Sequence, residues 1–358
     1  MFYIFLFNYI FFSILSSLIK EKSIRLIIFI LLLLTCVYLP ASRDIEIGTD
    51  SLMYADYINW NLSIFEYSRY FEVGNAVVYR FLIDFFDINY SGLFFVYAFF
   101  TNLFVLLAIF KSSKNIYFSM LCFLCFQGIY FSQFNIMRQM LAFSIFLYAL
   151  TFIINGQNKK NIYYILCIFA ILFHNSAIVA LVFPIIRYLL NKSYFLTFFL
   201  VNTIIIIIAS SFNYLIERLA GTSIYLSKYM AYINYYNEKD VGIKLFFTNL
   251  ILIVFIHIIC HKKFMGDKDY RFFIFISCVM LNLQFCVAFL DMSEQVFGRF
   301  TVYFFCGVIF ILPYGYLALN KLSKPFYYIF LTIFLGLTCY VSLYINGMYG
   351  VFPFLLNN

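Results

Sequence analysis

The sequence predicts an all-α, polytopic integral membrane protein with about twelve transmembrane helices, roughly 11 to 13. Of the 358 residues, 65% are hydrophobic and only 11% are charged, which would leave a soluble domain with too much exposed apolar surface. Apolar stretches of roughly 17 to 20 residues recur from end to end, each long enough to cross a hydrocarbon core of about 30 Å as a helix. The whole chain, residues 1–358, is therefore expected to form a single membrane domain.

The predicted helices follow the apolar stretches in order. Their approximate ranges are 2–19, 24–41, 91–110, 115–133, 139–154, 161–173, 176–190, 194–210, 243–260, 272–290, 300–319 and 326–345. The two short stretches between 161 and 190 are separated only by His174 and Asn175, so this pair alternatively forms a re-entrant hairpin.

Basic residues between the helices predict the orientation, because short cytoplasmic loops of membrane proteins are rich in lysine and arginine. The basic clusters all fall on one side: Lys20/Lys22/Arg25, Lys111/Lys114, Lys159/Lys160, Arg187/Lys192, Lys262/Lys263/Lys268/Arg271 and Lys321/Lys324. We take that side as the cytoplasmic face of a bacterial inner membrane, with both termini in the periplasm. Two long loops, 42–90 and 211–242, are then periplasmic, and the amphipathic stretch Glu72–Phe86 is expected to form a helix along the membrane surface.

The same residues argue against several other classes of protein. The net charge of +8 is spread over short loops and forms no patch for nucleic acid. The single CxxC pair, Cys122 and Cys125, lacks the second pair or spaced histidines of a zinc site. We therefore expect no metal, no cofactor and no nucleic-acid partner.

Arginine is distributed differently from lysine. In this orientation 12 of the 15 lysines are cytoplasmic, whereas six of the nine arginines are periplasmic: Arg43, Arg69, Arg80, Arg138, Arg218 and Arg299. A guanidinium binds phosphate or carboxylate through two parallel hydrogen bonds, so the bias indicates anion recognition. The alternative is that these arginines form surface ion pairs with acidic residues on the same side.

Arg138 and Arg299 each begin a predicted transmembrane helix at its periplasmic end. The unpaired N–H groups and the dipole at a helix N-terminus favour an anion, so a cation alone is unfavourable there. An anionic ligand removes the conflict. The pyrophosphate of undecaprenyl pyrophosphate, whose tail stays in lipid, has the required charge and location.

Five motifs follow one another over about residues 43–304. They are Arg43 with Gly48-Thr49-Asp50 and Tyr54; Phe71-Glu72; Arg138-Gln139 with Ala142 and Ser144; Phe173-His174-Asn175-Ser176; and Gly298-Arg299 with Tyr303. Together they resemble the motifs of Wzy-type O-antigen polymerases and of the related EpsG family of membrane polysaccharide polymerases.

The resemblance implies a glycosyltransferase that needs no sugar nucleotide. Such a protein transfers a growing glycan from one undecaprenyl pyrophosphate to the non-reducing end of the next lipid-linked repeat unit, in the periplasm. The implied partners are undecaprenyl-pyrophosphate-linked oligosaccharides, as donor and acceptor, and membrane lipid. A chain-length regulator is a further candidate partner.

The reaction needs a stabilised leaving group and a base for the acceptor hydroxyl. We predict that Arg138 and Arg299 clamp the leaving pyrophosphate and that Arg43 and Arg80 bind the pyrophosphate of the acceptor. The motifs add Gln139, Tyr54 and Tyr303 as substrate-binding residues.

The sequence leaves the general base open among Asp50, Glu72 and His174. Asp50 equally well caps a helix that begins near Ser51. His174 equally well bonds a nearby carbonyl group.

Two related functions stay open as alternatives. An O-antigen ligase uses a similar donor with another acceptor, and a flippase or transporter of lipid-linked oligosaccharide shares the helix count. A transporter places charges or broken helices near the bilayer midplane, whereas almost every charge here lies at a helix end.

In the second loop four tyrosines share one helical face, where they either guide the glycan or anchor the loop at the interface: Tyr225, Tyr229, Tyr232 and Tyr236.

Overall fold

A computed structural model describes residues 2–86, 89–219, 239–290 and 294–352 of the chain. Every regular element in these ranges is a helix, which confirms the predicted fold class. The α-helices are α1 Phe2–Leu18, α2 Lys22–Ala41, α3 Ser51–Asn59, α4 Ile64–Tyr67, α5 Val73–Phe86, α6 Tyr90–Ser112, α7 Ile116–Cys125, α8 Met137–Leu150, α9 Lys160–Ile171, α10 Phe183–Lys192, α11 Tyr194–Leu219, α12 Lys239–Phe264, α13 Lys268–Phe289, α14 Glu294–Ala318 and α15 Lys324–Tyr340.

Seven helices in the described ranges are long and apolar enough to cross a membrane. These are α2, α6, α11, α12, α13, α14 and α15, the last with the π-helical turn Val341–Ile345 that follows it. Four shorter apolar elements, of 10 to 17 residues, begin at Phe2, Ile116, Met137 and Lys160. The chain is thus a multi-pass membrane protein by length and composition, and the count of about twelve spans stays a prediction.

The predicted helix 115–133 ends early, at Cys125. Gln127 and Gly128 both have a positive φ, 49° and 61°, so the chain turns there and continues as the short 3-10 helices Phe126–Gly128 and Phe131–Phe134. Because the stretch is buried and largely apolar, hydrophobicity alone does not reveal the break. Because this segment is not a continuous α-helix, some of its backbone carbonyl groups accept hydrogen bonds from other parts of the chain.

The predicted helix 176–190 is also interrupted. Asn175–Val182 is a 3-10 helix, and α10 follows it with Pro184 in its first turn. A proline at this position is compatible with a new helix but not with the interior of a longer one.

The chain divides into two compact units, one formed by residues 1–181 with 322–358 and the other by residues 182–321. The first unit thus contains α1–α9 and α15, and the second contains α10–α14. The prediction of one membrane domain stays a prediction.

In the second unit, polar contacts join apolar helices. Arg187 of α10 forms an ion pair with Asp269 of α13, and both side chains are mostly buried. Asn282 of α13 donates to the side chain of Asn202 in α11 at 3.0 Å. Gly307 of α14 packs so closely that an added Cβ would lie 2.7 Å from Ser277 Oγ. Small residues and interhelical hydrogen bonds of this kind are typical of membrane helix bundles.

The predicted second loop, 211–242, is partly helical. In the described residues α11 extends to Leu219 and α12 begins at Lys239, so both helices reach into the predicted loop. Residues 220–238, with the four tyrosines of the predicted stripe, lie outside the described residues.

The predicted first loop, 42–90, contains three helices, α3, α4 and α5. The predicted surface helix Glu72–Phe86 corresponds to α5, Val73–Phe86. Tyr67 is fully buried and donates to the backbone carbonyl of Tyr57 at 2.7 Å, which fixes α4 against the end of α3.

Candidate functional site

In the first unit, four of the five sequence motifs meet at one end of the helices. They follow the C-terminus of α2, precede α5, begin α8 and follow α9. The lysines lie at the other helix ends: α2 begins at Lys22, α6 ends beside Lys111, and α9 begins at Lys160. The arginine-bearing motifs are therefore separated from the lysines by the length of the helices.

The loop between α2 and α3 rests on the broken segment before α8. The backbone N–H of Thr49 donates to Asn135 Oδ1 at 3.0 Å, and Ser51 Oγ bonds the carbonyl of Phe134 at 3.4 Å. Gly48 has a φ of +94°, which a residue with a side chain rarely adopts, and its N–H donates to the carbonyl of Gly350 at 3.2 Å. The backbone N–H groups of Gly48 and Thr49 thus hold the Gly-Thr-Asp motif against two distant segments.

At the centre of the site, Arg138 Nη1 lies 3.2 Å from Glu72 Oε2. Both side chains are largely shielded from solvent, with 19% and 13% exposed. The guanidinium carbon of Arg138 also lies 5.7 Å from the ring centre of Tyr54 and 5.2 Å from that of Phe71. Burial raises the pKa of the Tyr54 hydroxyl, so this ring stays neutral beside the cation.

Arg138 Nε is buried without a hydrogen-bond partner. An unsatisfied buried donor is costly, and a charged one more so. The guanidinium therefore has hydrogen-bonding capacity beyond its contact with Glu72.

Glu72 also contacts the histidine motif. The backbone N–H of Asn175 donates to Glu72 Oε1 at 3.3 Å, and Asn75 Nδ2 lies 3.2 Å from Glu72 Oε2. Asn75 in turn donates to the carbonyl of Phe173 at 2.7 Å and accepts from the Tyr97 hydroxyl at 2.7 Å. These bonds fix the start of α5 against the end of α9.

Gly74 allows that close approach. Its N–H donates to the carbonyl of Leu172 at 2.8 Å, and an added Cβ would lie 2.6 Å from the same oxygen. Only glycine fits this contact.

His174 bonds to its own segment. Its Nδ1 lies 2.6 Å from Ser176 Oγ and accepts the backbone N–H of Ser176 at 3.3 Å. Because Nδ1 accepts, the neutral ring carries its proton on Nε2. The imidazole is thereby fixed next to Asn175, the residue that contacts Glu72.

Asp50 stands at the N-cap position of α3, but its side chain makes no capping bond. Its carboxylate instead accepts from the Thr49 hydroxyl at 3.2 Å. The structure therefore does not support the capping alternative, and Asp50 as the base stays a prediction.

Arg43 is buried, with 2% of its surface exposed. Its guanidinium carbon lies 3.9 Å from the ring centre of Phe94 and 5.0 Å from that of Phe134, and Nη1 donates to the carbonyl of Gln133 at 3.4 Å. Nε and Nη2 are buried without partners beside an internal crevice that Tyr97 also lines. Burial lowers the pKa of Arg43 to about 9, so the group stays charged at neutral pH.

Arg80 of α5 forms an ion pair with Asp84 one turn on, and its Nη1 donates to Asn61 Oδ1 at 2.7 Å. Asn61 has a positive φ of 45°, in the turn that follows α3. Arg80 thus supports this turn, and its predicted contact with a pyrophosphate stays a prediction.

Gln139 is buried in the first turn of α8, beside Arg138. Arg299 and Tyr303, the fifth motif, belong to α14 of the second unit. There Tyr303 is fully buried and Arg299 is half-buried. The predicted clamp of Arg138 with Arg299 stays a prediction.

The sequence did not identify three residues that hold this site together: Asn75, Tyr97 and Asn135. Asn75 lies on the buried face of α5, where an amide among apolar residues was the available signal. A buried amide must find partners, so such a position indicates a polar network. Tyr97 and Asn135 carried no comparable signal.

Compared with known families, the chain matches the model of the EpsG family over residues 26–356. Neither the curated proteins nor the solved structures contain a match. The family match spans all five motifs and both structural units.

Proposed function

The chain belongs to the EpsG family, and we propose that it polymerises a surface polysaccharide from undecaprenyl-pyrophosphate-linked repeat units. Family membership supports the coarser part of this proposal, a membrane polysaccharide polymerase with glycosyltransferase activity. The lipid-linked donor, the acceptor and the periplasmic location go beyond what family membership implies.

The observation that carries the proposal is the contact between Glu72 and Arg138. It brings together, in one shielded place, an arginine with an unused N–H and a carboxylate. Glycosyl transfer from a pyrophosphate requires both, one to stabilise the leaving group and one to accept a proton.

In the proposed reaction, the hydroxyl oxygen at the non-reducing end of the acceptor attacks the anomeric carbon of the donor glycan. The new C–O bond forms as the bond from that carbon to the pyrophosphate breaks, and undecaprenyl pyrophosphate leaves with the bonding electrons. The hydroxyl proton passes to the base. No redox partner and no sugar nucleotide is consumed.

Arg138 is proposed to bind the leaving pyrophosphate. The N–H at Nε has no partner and can donate to the phosphate directly. A phosphate that also draws Nη1 away from Glu72 would leave that carboxylate without its cation. A carboxylate that loses a cationic partner becomes a stronger base. Leaving-group binding and proton removal would thus be coupled, and we propose Glu72 as the base for this reason.

His174 and Tyr54 are proposed to complete the site. His174, through Asn175, fixes the segment that donates to Glu72. Tyr54 presents its ring to Arg138. We propose that Arg43 positions the segment before α8, since it contacts both Phe134 and the carbonyl of Gln133.

The proposed location is the inner membrane, with the site at the periplasmic face. The separation of the arginine-bearing motifs from the lysine-bearing helix ends supports it, because lysine marks the cytoplasmic side.

The test is the surface polysaccharide of a strain that lacks this chain, complemented with wild-type or Arg138→Gln protein. Single repeat units on the normal acceptor are expected without the protein, and long polymer is expected only with the wild type. Lipid-linked polymer that never reaches its acceptor would indicate a ligase. Loss of both polymer and single units would indicate a transporter.

A further inference from the structure

Two rings stand exposed at the edge of the site. Trp60, at the end of α3, is 42% exposed, and Tyr70, after α4, is 61% exposed. Their ring centres lie 5.2 Å apart with the planes at 64°. Trp60 is the only tryptophan in the chain.

From this pair, ring contacts lead inward to Arg138. The ring centres of Trp60 and Tyr57 lie 4.7 Å apart, and those of Tyr57 and Phe71 lie 4.5 Å apart. The ring centre of Phe71 lies 5.2 Å from the guanidinium carbon of Arg138. Exposure falls along the same path, since Tyr57 is half-buried and Phe71 is buried. We call Trp60, Tyr70, Tyr57 and Phe71 the aromatic row.

The aromatic row is held rigidly. Tyr67 lies beneath it, 5.7 Å from Phe71 and hydrogen-bonded to the carbonyl of Tyr57. The turn after Trp60 is fixed by the bond from Arg80 to Asn61. Rings that are already in place lose little conformational entropy on binding.

A second exposed feature of the same segment has different chemistry. Four residues of α5, spaced four apart, form a stripe of hydrocarbon side chains with no polar atom: Val73, Val77, Phe81 and Phe85. Such a stripe fits the apolar edge of a bilayer. Trp60 and Tyr70 instead combine a ring face with an N–H or O–H group, and their row ends at Arg138.

We propose that Trp60 and Tyr70 bind sugar rings of the oligosaccharide, so that the aromatic row guides the glycan to the site. The C–H groups on one face of a pyranose carry slight positive charge and pack on the electron-rich face of an aromatic ring, while the polar tips reach the hydroxyls. This inference rests on the proposed function and assigns the glycan-binding part of the same site.

Because Trp60 is the only tryptophan, its fluorescence reports on this position alone. The wild-type protein is placed in phosphatidylcholine vesicles and titrated with the single-repeat oligosaccharide released by mild acid from the lipid-linked glycan of the host. A saturable change in emission and a fall of about twofold or more in quenching by acrylamide are expected. Emission that does not change with the oligosaccharide overturns the proposal.

A matched variant shows how strongly lipid quenches a tryptophan that contacts the membrane. In Trp60→Phe/Phe85→Trp protein the single tryptophan lies in the hydrocarbon stripe of α5. Brominated phosphatidylcholine is expected to quench this variant strongly and the wild type weakly. Equal quenching of both would overturn the proposal and assign Trp60 to the membrane surface.

Activity provides an independent measurement. Trp60→Ala and Tyr70→Ala are expected to raise the KM for the lipid-linked acceptor roughly threefold to tenfold with kcat retained, and Phe85→Ala to leave KM unchanged. Unchanged KM in the first two, together with polymerisation by the wild type, refutes the glycan role alone. Absence of polymerisation by the wild type refutes the proposed function.

Discussion

The carboxylate of Glu72 and the guanidinium of Arg138 lie 3.2 Å apart, although 66 residues separate them in the sequence. Glu72 precedes α5 in the predicted first loop, and Arg138 lies in the first turn of α8, which is buried. Their contact therefore depends on how the first unit folds, and the predictions below test what it does.

Arg138→Lys keeps the positive charge but loses the planar group with several N–H donors. Polymer formation is expected to fall about 100-fold or more, since a single ammonium cannot replace two parallel bonds to a phosphate. The measurement is polymer formed by purified protein from lipid-linked repeat units.

Arg69→Lys is the matched control, because Arg69 is exposed and its guanidinium packs over the ring of Phe65 instead of reaching the site. It should polymerise like the wild type. Full activity of Arg138→Lys would contradict bidentate phosphate binding at this position.

Glu72→Gln keeps the shape of the side chain and removes its charge and its basicity. Polymerisation is expected to be lost, whereas Asp50→Asn should retain most of it, because the Asp50 carboxylate contacts Thr49 and not Arg138. Both variants are assayed with the same substrates, and their thermal unfolding is recorded to exclude loss of fold. The reverse result would move the base to Asp50.

Gly74→Ala places a methyl group 2.6 Å from the carbonyl oxygen of Leu172, where the N–H of Gly74 now bonds. Relief of this contact is expected to cost about 1 to 3 kcal/mol and to separate Glu72 from Asn175, so both melting temperature and activity should fall. Gly336→Ala is the control, because nothing lies within 4 Å of the new methyl group in α15. That variant should be as stable as the wild type or slightly more so.

Arg187→Met leaves Asp269 buried without its cation in the second unit. Loss of one partner of a buried pair costs about 3 to 5 kcal/mol, so the melting temperature should fall clearly. The double variant Arg187→Met/Asp269→Leu removes both charges and should recover most of the loss. If the single variant melts like the wild type, the pair contributes nothing to stability.

The all-α fold class and the helix at α5 were predictable, because hydrophobic periodicity and segment length determine them, and the location of α5 along the membrane surface stays a prediction. The breaks near Gln127 and between Asn175 and Val182 were not. There the backbone changes direction inside largely apolar stretches, where hydrophobic periodicity carries little signal.

The site was predictable in part. Glu72, Arg138 and His174 were identified from motifs, and the structure brings their segments together. The network through Asn75 and Tyr97 was not identified, since it depends on contacts between residues far apart in the chain. Arg43 contacts two phenyl rings that the sequence could not place beside it, and its predicted contact with the pyrophosphate of the acceptor stays a prediction.

The backbone bond from Gly48 to Gly350 has a consequence for how the protein is made. The Gly-Thr-Asp loop emerges from the ribosome early, yet one of its supports is synthesised much later, after α15. Tyr349 ties the same late segment to Gln127 in the broken helix. A chain still leaving the translocon thus lacks a finished loop, so the loop reaches its final form only after α15 and the segment that follows it have been made.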